Sequence, residues 1–407
     1  MTVKVLNEMK VVYASSLIST KKFNTLFHQS KFVPGQQAQK YHRLLAEGFS
    51  LNGHETLTLS SLPVTRKNHK QVFFPGETEI YNGVKYRYLP VFNIPILKNF
   101  IVFIFSFFYQ TINCLRDRDL VLICDVLNVS ISLGAVLATR LFRKEAIGIV
   151  TDLPEMLSIN EKSWFVRASH RIIKLCTRYV FLTSDMNLRL NLKEKPFVVV
   201  EGLVDIVMKG TPNDIHDKYK KDVILYAGAL HKKYGIDILL DGFVDSNLPA
   251  LELHLYGDGD YVPKIRQLSK KYPKIKYFGV VPNRVVVDAE IKASLLVNPR
   301  KTNEEYTRYS FPSKNMEYMS TGTPVLTTRL PGMPMEYYSF VYIIERESAE
   351  GIKRAIDEVM NKTKSERHQM GIRAKEFVLK YKNNAVSAKK IYNVLLRDKA
   401  SKEGLNE

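Results

Sequence analysis

Apolar segments of β type alternate with amphipathic helical segments along the chain, and this alternation constrains the fold more than any other feature. In the first half we predict strands at residues 10–15, 55–60, 85–91, 119–125, 147–152, 179–184 and 197–200. Helical patterns lie between them at residues 37–51, 96–115, 130–142 and 163–176. Such an alternation predicts a parallel sheet with helices on both of its faces.

A polar, charged passage at residues 209–222 interrupts the pattern, which then starts again. We predict strands at residues 223–229, 252–256, 275–280, 295–298, 325–328 and 341–344, and helices at residues 235–244, 263–271, 314–320, 348–361, 365–381 and 385–397. A chain of 407 residues is long enough for two domains. The expected fold is therefore α/β, with two Rossmann-like doubly wound domains, residues 1–205 and 206–380, facing a central cleft. Ligands of such sheets bind beyond the carboxyl ends of the strands.

The composition is that of a globular protein with a strong positive charge. Hydrophobic residues make up 45% of the chain, charged residues 25%, and the formal net charge is +19. Nucleic acid, an anionic membrane surface or phosphorylated small molecules could each account for this charge. The basic residues are spread along the chain and no helix-turn-helix, zinc-finger or RRM signature is present, so we predict no nucleic-acid partner.

Three further sequence features bear on the cellular compartment of the protein and on its contact with a membrane. Cys114, Cys124 and Cys176 are odd in number and lack metal-ligand or CxxC spacing, which indicates reduced core residues of a cytosolic protein. Residues 1–10 lack the apolar region of a signal peptide. The apolar, aromatic segment at residues 100–109 is too short to span a bilayer. A helix packed on a sheet and a helix in a membrane interface both remain open for this segment.

The segment from Tyr309 to Leu326 predicts a loop followed by a short helix and the next strand. Ser313 is the expected N-cap, and Gly322 is expected just past the helix end. A helix N-terminus with free backbone N–H groups suits an anion such as a diphosphate. Lys314 in the first turn adds a mobile cation, and Glu317 one turn later can accept hydrogen bonds from a ribose diol.

Three other strand ends are expected at the same edge of the second sheet. Gly228 ends the first strand without a side chain, and Lys232 and Lys233 in the following turn can neutralise phosphate charge. Gly257 follows the second strand, and Val280 follows the third, where backbone groups can contact a base edge. Each turn alone also fits an ordinary βα connection with solvated lysines. The prediction rests on the convergence of all of them.

Candidates in the first half are fewer. Gly35, Gln36 and Gln37 lie in a long loop before a helix, which predicts an acceptor-binding loop at the cleft. Asp152 is expected to end a buried strand, where its carboxylate can hold sugar hydroxyls, although a capping role before Pro154 fits equally well. His42 carries no pairing signal. The chain has no Ser/His/Asp set, no HExxH helix, no Walker loop and no GxGxxG after the first strand, which argues against an NAD-dependent dehydrogenase.

Residues 223–330, above all FPSKNMEYMSTGTPV at residues 311–325, resemble the nucleotide-sugar domain of the retaining GT-B glycosyltransferases of the "group 1" or family 4 class. Residues 44–59 are similar to the first helix and second strand of that family. The closest likeness is to members that build bacterial surface polysaccharides, through the run YSFPSK. The resemblance implies that residues 381–407 pack back on the first domain as a C-terminal helix.

In this family two glutamates stand eight positions apart, and the second falls on Glu317, which implies ribose recognition. The first falls on Tyr309, so the carboxylate that usually touches the donor sugar is absent. The basic residues of the family's phosphate motif are also displaced, and Lys232, Lys233, Arg300 or Lys314 would hold the diphosphate instead. The implied nucleotide-sugar site comprises these residues with Gly228, Gly257, Val280, Tyr309, Phe311, Pro312, Ser313 and Glu317.

The resemblance implies a metal-independent, retaining hexosyltransferase-type enzyme without a cofactor or a protein nucleophile. Its donor is a UDP-, GDP- or dTDP-sugar, and its acceptor is a glycan or a polyprenyl-linked oligosaccharide of capsule, O-antigen or exopolysaccharide synthesis. The expected location is cytoplasmic, with peripheral contact to the inner face of the membrane. Two alternatives remain open, a sugar-nucleotide epimerase of the same fold and a catalytically inactive binding or scaffold subunit.

Overall fold

The computed structural model describes residues 9–28, 37–246, 248 and 250–396. The chain divides into two compact units, one of Met1–Leu203 with Asn384–Glu407 and one of Val204–Asn383. The predicted domain boundaries lay after residues 205 and 380. The C-terminal segment belongs to the first unit, because its helix packs on a helix of that unit, and Gly48 lies against the Asn384 backbone without room for a side chain.

The strands of the first unit, within the described residues, are β1 Lys10–Ser15, β2 Thr56–Ser60, β3 Phe73–Phe74, β4 Glu77–Tyr81, β5 Val84–Tyr88, β6 Val91–Phe92, β7 Leu120–Asp125, β8 Ala146–Val150, β9 Arg178–Phe181 and β10 Phe197–Val199. Its helices are α1 Thr20–Phe27, α2 Gln37–Leu51, α3 Leu97–Arg116, α4 Val129–Leu141, α5 Trp164–Leu175, α6 Ser184–Leu190 and, near the end of the chain, α14 Asn384–Leu395.

The first sheet has the order β10-β9-β8-β7-β1-β2-β5-β4. All of its neighbouring strands are parallel except β4 and β5, which form an antiparallel hairpin. Strands β1, β2 and β7 are buried along nearly their whole length. Helices α2 and α14 pack together on one side, and α3, α4 and α5 pack on one another in a second group. This is the doubly wound arrangement that the alternation predicts.

The second unit has strands β11 Asp222–Ala227, β12 Leu251–Tyr256, β13 Ile275–Gly279, β14 Leu295–Asn298, β15 Val325–Thr328 and β16 Tyr342–Ile344 in its described residues. Its helices are α7 Ile236–Val244, α8 Val262–Lys271, α9 Asn283–Lys292, α10 Tyr306–Tyr309, α11 Ser313–Thr321, α12 Ala349–Met360 and α13 Lys364–Tyr381. The sheet is parallel throughout, with the order β13-β12-β11-β14-β15-β16. Two apolar clusters pack on its faces, one with α7 and α12 and the other with α11 and α13.

Several predicted elements differ from the structure. The predicted strand at residues 85–91 is two strands, because the chain leaves the sheet after Tyr88 and Val91–Phe92 pairs antiparallel with Phe73–Phe74. The predicted strand at residues 179–184 ends at Phe181, since the side chain of Thr183 caps helix α6 by accepting from the Met186 amide. Residues 283–292 form helix α9, which was not predicted from the sequence.

Candidate functional site

Three glycine turns lie side by side at the carboxyl edge of the second sheet. The Gly228 amide donates to the Tyr256 carbonyl at 2.9 Å, and the Gly257 amide donates to the Gly279 carbonyl at 2.8 Å. The amide of Leu230 reaches the carbonyl of the next turn, at Asp258, at 2.8 Å. The ends of β11, β12 and β13 therefore form one continuous backbone surface.

The glycines are needed for contacts within this edge. A Cβ atom on Gly257 would lie 1.9 Å from the Gly228 carbonyl oxygen, and one on Gly228 would lie 1.9 Å from the Lys314 ammonium nitrogen. Both residues also have positive φ angles, +123° and +147°. We predicted that Gly228 leaves space for a ligand to approach. That reason is wrong in detail, because Lys314 fills the space.

Helix α11 approaches the same edge. It starts at Ser313 itself, with Pro312 as the N-cap and no side-chain capping bond, so the prediction of Ser313 as N-cap is wrong. The amides of Ser313 and Asn315 donate to the carbonyls of Phe311 and Pro312 at 2.9 and 2.8 Å. The tight entry into the helix therefore uses amides that we expected to be free for an anion. Side-chain cations become the more important donors.

Buried polar groups fix α11 on the sheet. The Asn315 side chain accepts from Asn298 of β14 at 2.7 Å and donates to Thr327 of β15 at 3.1 Å. The Tyr318 hydroxyl accepts from the Ala227 amide of β11 at 2.8 Å. Three strands thus position the helix, and with it Lys314 and Glu317. The helix ends at Thr321 and is followed by Gly322, whose φ of +82° is the expected left-handed conformation.

Lys314 is held rather than mobile, which corrects the prediction for this residue. Its ammonium donates to the Ala227 carbonyl and lies 5.0 Å from the ring centre of Tyr226 and 5.8 Å from that of Tyr318. Burial lowers the pKa of Lys314, while the negative charge of Glu317 acts in the opposite direction. The buried Glu290 acts in the same direction as Glu317, which is partly exposed and lies one helical turn away.

Arg300, just beyond β14, provides a second cation. Its guanidinium stacks on Tyr306 at 4.7 Å and on Tyr234 at 5.5 Å, and its Nε donates to the Tyr306 hydroxyl at 3.2 Å. Its positive charge acts on Lys314 and lowers the pKa of that residue further. Among the described residues, neither Arg300 nor Lys314 forms an ion pair with a carboxylate. Two neighbouring cations that form no direct ion pair favour an anionic ligand.

The remaining predicted residues of this unit differ in exposure. Lys232 and Lys233 are exposed on a single 3-10 turn that ends at Gly235, and Val280 is 76% exposed after β13. Tyr309 is half-buried at the end of α10. Phe311 is 4% exposed with its ring 5.2 Å from Tyr337, so its side chain is a core contact.

In the first unit, Asp152 lies two residues beyond the end of β8 rather than in the strand, because the chain bends at Thr151 before a 3-10 turn. It is half-buried and has interactions of its own. Gly35 and Gln36 lie outside the described residues. Gln37 is the first residue of helix α2.

A buried polar cluster lies at the carboxyl ends of β1 and β7, and it was not predicted from the sequence. The Asp125 carboxylate lies 3.2 Å from His42 Nε2 and accepts from Ser15 at 3.1 Å and from Asn128 at 2.9 Å. The other ring nitrogen of His42 lies 2.7 Å from the Tyr13 hydroxyl. Burial alone would raise the pKa of Asp125, but His42 and the hydrogen bonds lower it. His42 carries no pairing signal in the sequence because α2 and β7 meet only in the folded chain.

Two doubly wound α/β units, one with paired cations at its carboxyl edge, define a protein of the doubly wound α/β class, in which ligands bind beyond the carboxyl ends of the strands. Residues 211–377 match the family model described as "Glycosyl transferases group 1". A comparison with curated protein sequences found no match. In the described part of the chain, no group of three or more His, Cys, Asp or Glu side chains is arranged to hold a metal ion.

Solved structures of similar fold cover nearly the whole chain. Sucrose-phosphate synthase (tll1590) from Thermosynechococcus elongatus is 13% identical with a TM-score of 0.68, over 96% of this chain and 100% of that one. Anabaena Alr3699/HepE in complex with UDP-glucose is 13% identical with a TM-score of 0.65, over 95% of this chain and 99% of that one. The lipopolysaccharide outer core galactosyltransferase WaaB in its apo form is 14% identical with a TM-score of 0.59, over 96% and 100%. The fold is that of the GT-B glycosyltransferases, and the family match supports glycosyltransferase activity.

Proposed function

We propose that this chain transfers a sugar from a nucleoside-diphosphate sugar to a glycan or a lipid-linked oligosaccharide. The observation that carries the proposal is the pair of cations, Arg300 and Lys314, beside the converged glycine turns. A diphosphate can pair directly with both cations, and Arg300 is pre-oriented by its two tyrosines.

We assign proposed roles to the other residues of the edge. Glu317 accepts hydrogen bonds from the ribose diol one helical turn from Lys314. Backbone groups next to Val280 contact the base, and Lys232 and Lys233 add exposed positive charge. Tyr309 contacts the donor sugar. The structure of HepE was solved in complex with UDP-glucose, which supports a nucleotide sugar as the donor.

The chemistry requires that negative charge be stabilised as the diphosphate departs. Fixed cations at the leaving group provide this stabilisation without a metal ion or a cofactor. We propose retention of the anomeric configuration, with the acceptor attacking on the face that the diphosphate leaves and no protein nucleophile. NMR of the first product formed tests this step, and an inverted anomer would refute it.

The first unit is proposed to bind the acceptor, with Asp152 and the segment at Gly35, Gln36 and Gln37 as its candidate contacts. The pathway proposed is the synthesis of a surface polysaccharide, in the cytoplasm and at the inner face of the membrane. WaaB is a galactosyltransferase of the lipopolysaccharide outer core, which supports this class of acceptor.

Two rivals are separable by assay. A sugar-nucleotide epimerase would change the donor without an acceptor present. An inactive binding subunit, which Tyr309 in place of a carboxylate makes conceivable, would bind the nucleotide sugar with no turnover.

Thermal unfolding with UDP-, GDP- and dTDP-sugars tests the site directly. A ligand at a hundredfold excess over Kd adds about 2.7 kcal/mol to stability, which is an easily measured shift in Tm. Arg300→Met and Glu317→Ala should each weaken the response. Arg266→Met is the matched control, because Arg266 also stacks on a tyrosine, Tyr277, at 5.2 Å, but lies on helix α8. No shift with any nucleotide sugar, or equal losses in the control, would contradict the proposal.

A further inference from the structure

The outward face of helix α3 is apolar along its whole length. Phe100, Phe108 and Leu115 are 59%, 60% and 68% exposed, and Ile112 is 39% exposed. With the partly buried Ile104 these residues recur every three or four positions, so they form one stripe about 22 Å long. A surface stripe of this size on a monomeric protein indicates an interaction site.

The side of α3 that faces the protein is polar by comparison. Ser106 is fully buried and donates to the Ile131 carbonyl at 2.7 Å, and the buried Gln110 donates to Thr139 at 2.9 Å. Gly134 of α4 lies so close that a Cβ atom there would be 2.5 Å from the Phe103 carbonyl oxygen. A helix on the surface of a soluble protein usually turns its apolar side toward the core and its polar side toward water. Helix α3 has the reverse arrangement, with small and polar residues inside and aromatic residues outside. The outer side chains are thus suited to an apolar surrounding.

The apolar surface continues beyond the N-terminal end of α3. Ile96 and Leu97 are 84% and 39% exposed, and Ile94, two residues earlier, is 39% exposed. The neighbouring β3–β6 ribbon adds Val72 and Phe73, 42% and 43% exposed, and the Asn93 amide donates to the Val72 carbonyl at 2.6 Å. The stripe and the ribbon therefore form one patch, which we call the α3 patch.

Basic residues border the α3 patch at both ends. Lys98 donates to the Leu62 and Val64 carbonyls at 3.0 and 2.7 Å. These bonds fix the loop that follows Val64 beside the start of helix α3. That loop exposes Arg66, Lys67 and Lys70. The other end of the α3–α4 pair exposes four more basic side chains: Arg116, Arg118, Arg140 and Arg143. The sequence contains no Asp or Glu at residues 61–76 or 89–116.

We propose that the α3 patch docks on an anionic lipid surface. An aromatic stripe with basic residues at its ends matches the acyl region and the charged headgroups of such a surface. No helix in the described part of the chain has the length and apolar character to cross a bilayer, so α3 would lie in the interface. A second copy of the chain is a poorer occupant, because it would place two sets of basic residues against each other.

Vesicle flotation with the full chain tests the proposal. We expect binding to vesicles of equal parts phosphatidylcholine and phosphatidylglycerol at low salt. Phosphatidylcholine alone, or about 0.5 M salt, should reduce it strongly. Phe100→Glu with Phe108→Glu should lower the partition coefficient at least about tenfold. Arg66→Glu with Lys67→Glu should lower it at least about fivefold per residue.

Matched controls lie on the second unit. Met335→Glu places a negative charge at an exposed apolar position outside the α3 patch, since Met335 is 77% exposed. Lys264→Glu with Lys270→Glu makes the same charge reversal as the Arg66 and Lys67 variant, but on helix α8. Both should bind vesicles as the unchanged chain does. The α3 variants should keep their Tm and their response to nucleotide, which separates this proposal from the proposed function. Absent or lipid-independent vesicle binding, equal losses in the controls, or a dimer that Phe108→Glu dissociates would each overturn it.

Discussion

Replacement of Gly228 by alanine tests how the nucleotide edge is built. The added Cβ would lie 1.9 Å from the Lys314 ammonium nitrogen and 2.9 Å from its Cε. Because the ammonium is the end of a flexible side chain, we expect Lys314 to move away and to lose its bond to the Ala227 carbonyl. Gly228→Ala should therefore weaken ligand binding by displacing Lys314.

Two terms contribute to the cost in stability. A φ of +147° strains an alanine by about 1–2 kcal/mol. Loss of a hydrogen bond from a charged donor adds about 1.5–3 kcal/mol, so the free energy of unfolding should fall by about 2.5–5 kcal/mol. If the Lys314 ammonium also contacts the diphosphate, its displacement should raise the Kd of a nucleoside diphosphate by about 10- to 100-fold.

A double-mutant cycle with Lys314→Ala isolates this coupling. Urea unfolding and calorimetric titration would be measured for Gly228→Ala, Lys314→Ala and the double variant. With Lys314 already removed, Gly228→Ala should leave the Kd unchanged and cost only the backbone strain. Gly53→Ala is the matched control, since Gly53 has a φ of +84° and no atom within 4 Å of the added Cβ. The reasoning is refuted if Gly228→Ala raises the Kd by the same factor with and without Lys314.

Two further predictions concern buried charges. Burial would raise the pKa of Glu252, but hydrogen bonds from Lys276, His254 and Lys221 lower it to about 2. The lowered pKa stabilises the folded state above about pH 4.5, and this stabilisation is lost as the pH falls towards 2. Because both lysines are largely exposed, we expect it to contribute only about 1–2 kcal/mol to the free energy of unfolding. Glu252→Gln should flatten the acid limb of stability against pH in urea titrations, and unchanged slopes would speak against this. Asp125→Ala should lower the free energy of unfolding by roughly 3 kcal/mol, because it removes the partner of the buried His42; a loss below about 1 kcal/mol would contradict this.

The doubly wound alternation of strands and helices in both units follows from the sequence pattern, but the antiparallel edge of the first sheet does not. Strand β4 was not predicted because its alternating residues are largely exposed and give no apolar run. A local signal was nevertheless present. Asn82-Gly83 joins β4 to β5 with φ angles of +48° and +75°, the turn that this dipeptide favours in two-residue hairpins.

The candidate site was predictable where it depends on strand ends and not where it depends on packing. Gly228, Gly257 and Val280 each follow a strand, so parallel topology alone brings them together. The core position of Phe311 depends on contact with Tyr337, which is distant in sequence. The His42–Asp125 pair likewise joins residues 83 positions apart, for which a single sequence provides no spacing signal.

Lys314 shows why burial changes the interpretation of a cation. A lysine in the first turn of a short helix suggests a solvated charge, but the Tyr226 and Tyr318 rings remove much of its water. Its ammonium then has a neutral carbonyl partner, and its pKa falls. A diphosphate would add negative charge beside the ammonium and raise that pKa again, so ligand binding would stabilise the charged form of Lys314. The cost of burying this ammonium in the free protein thus becomes part of the selectivity for an anion, because a neutral ligand would not offset it.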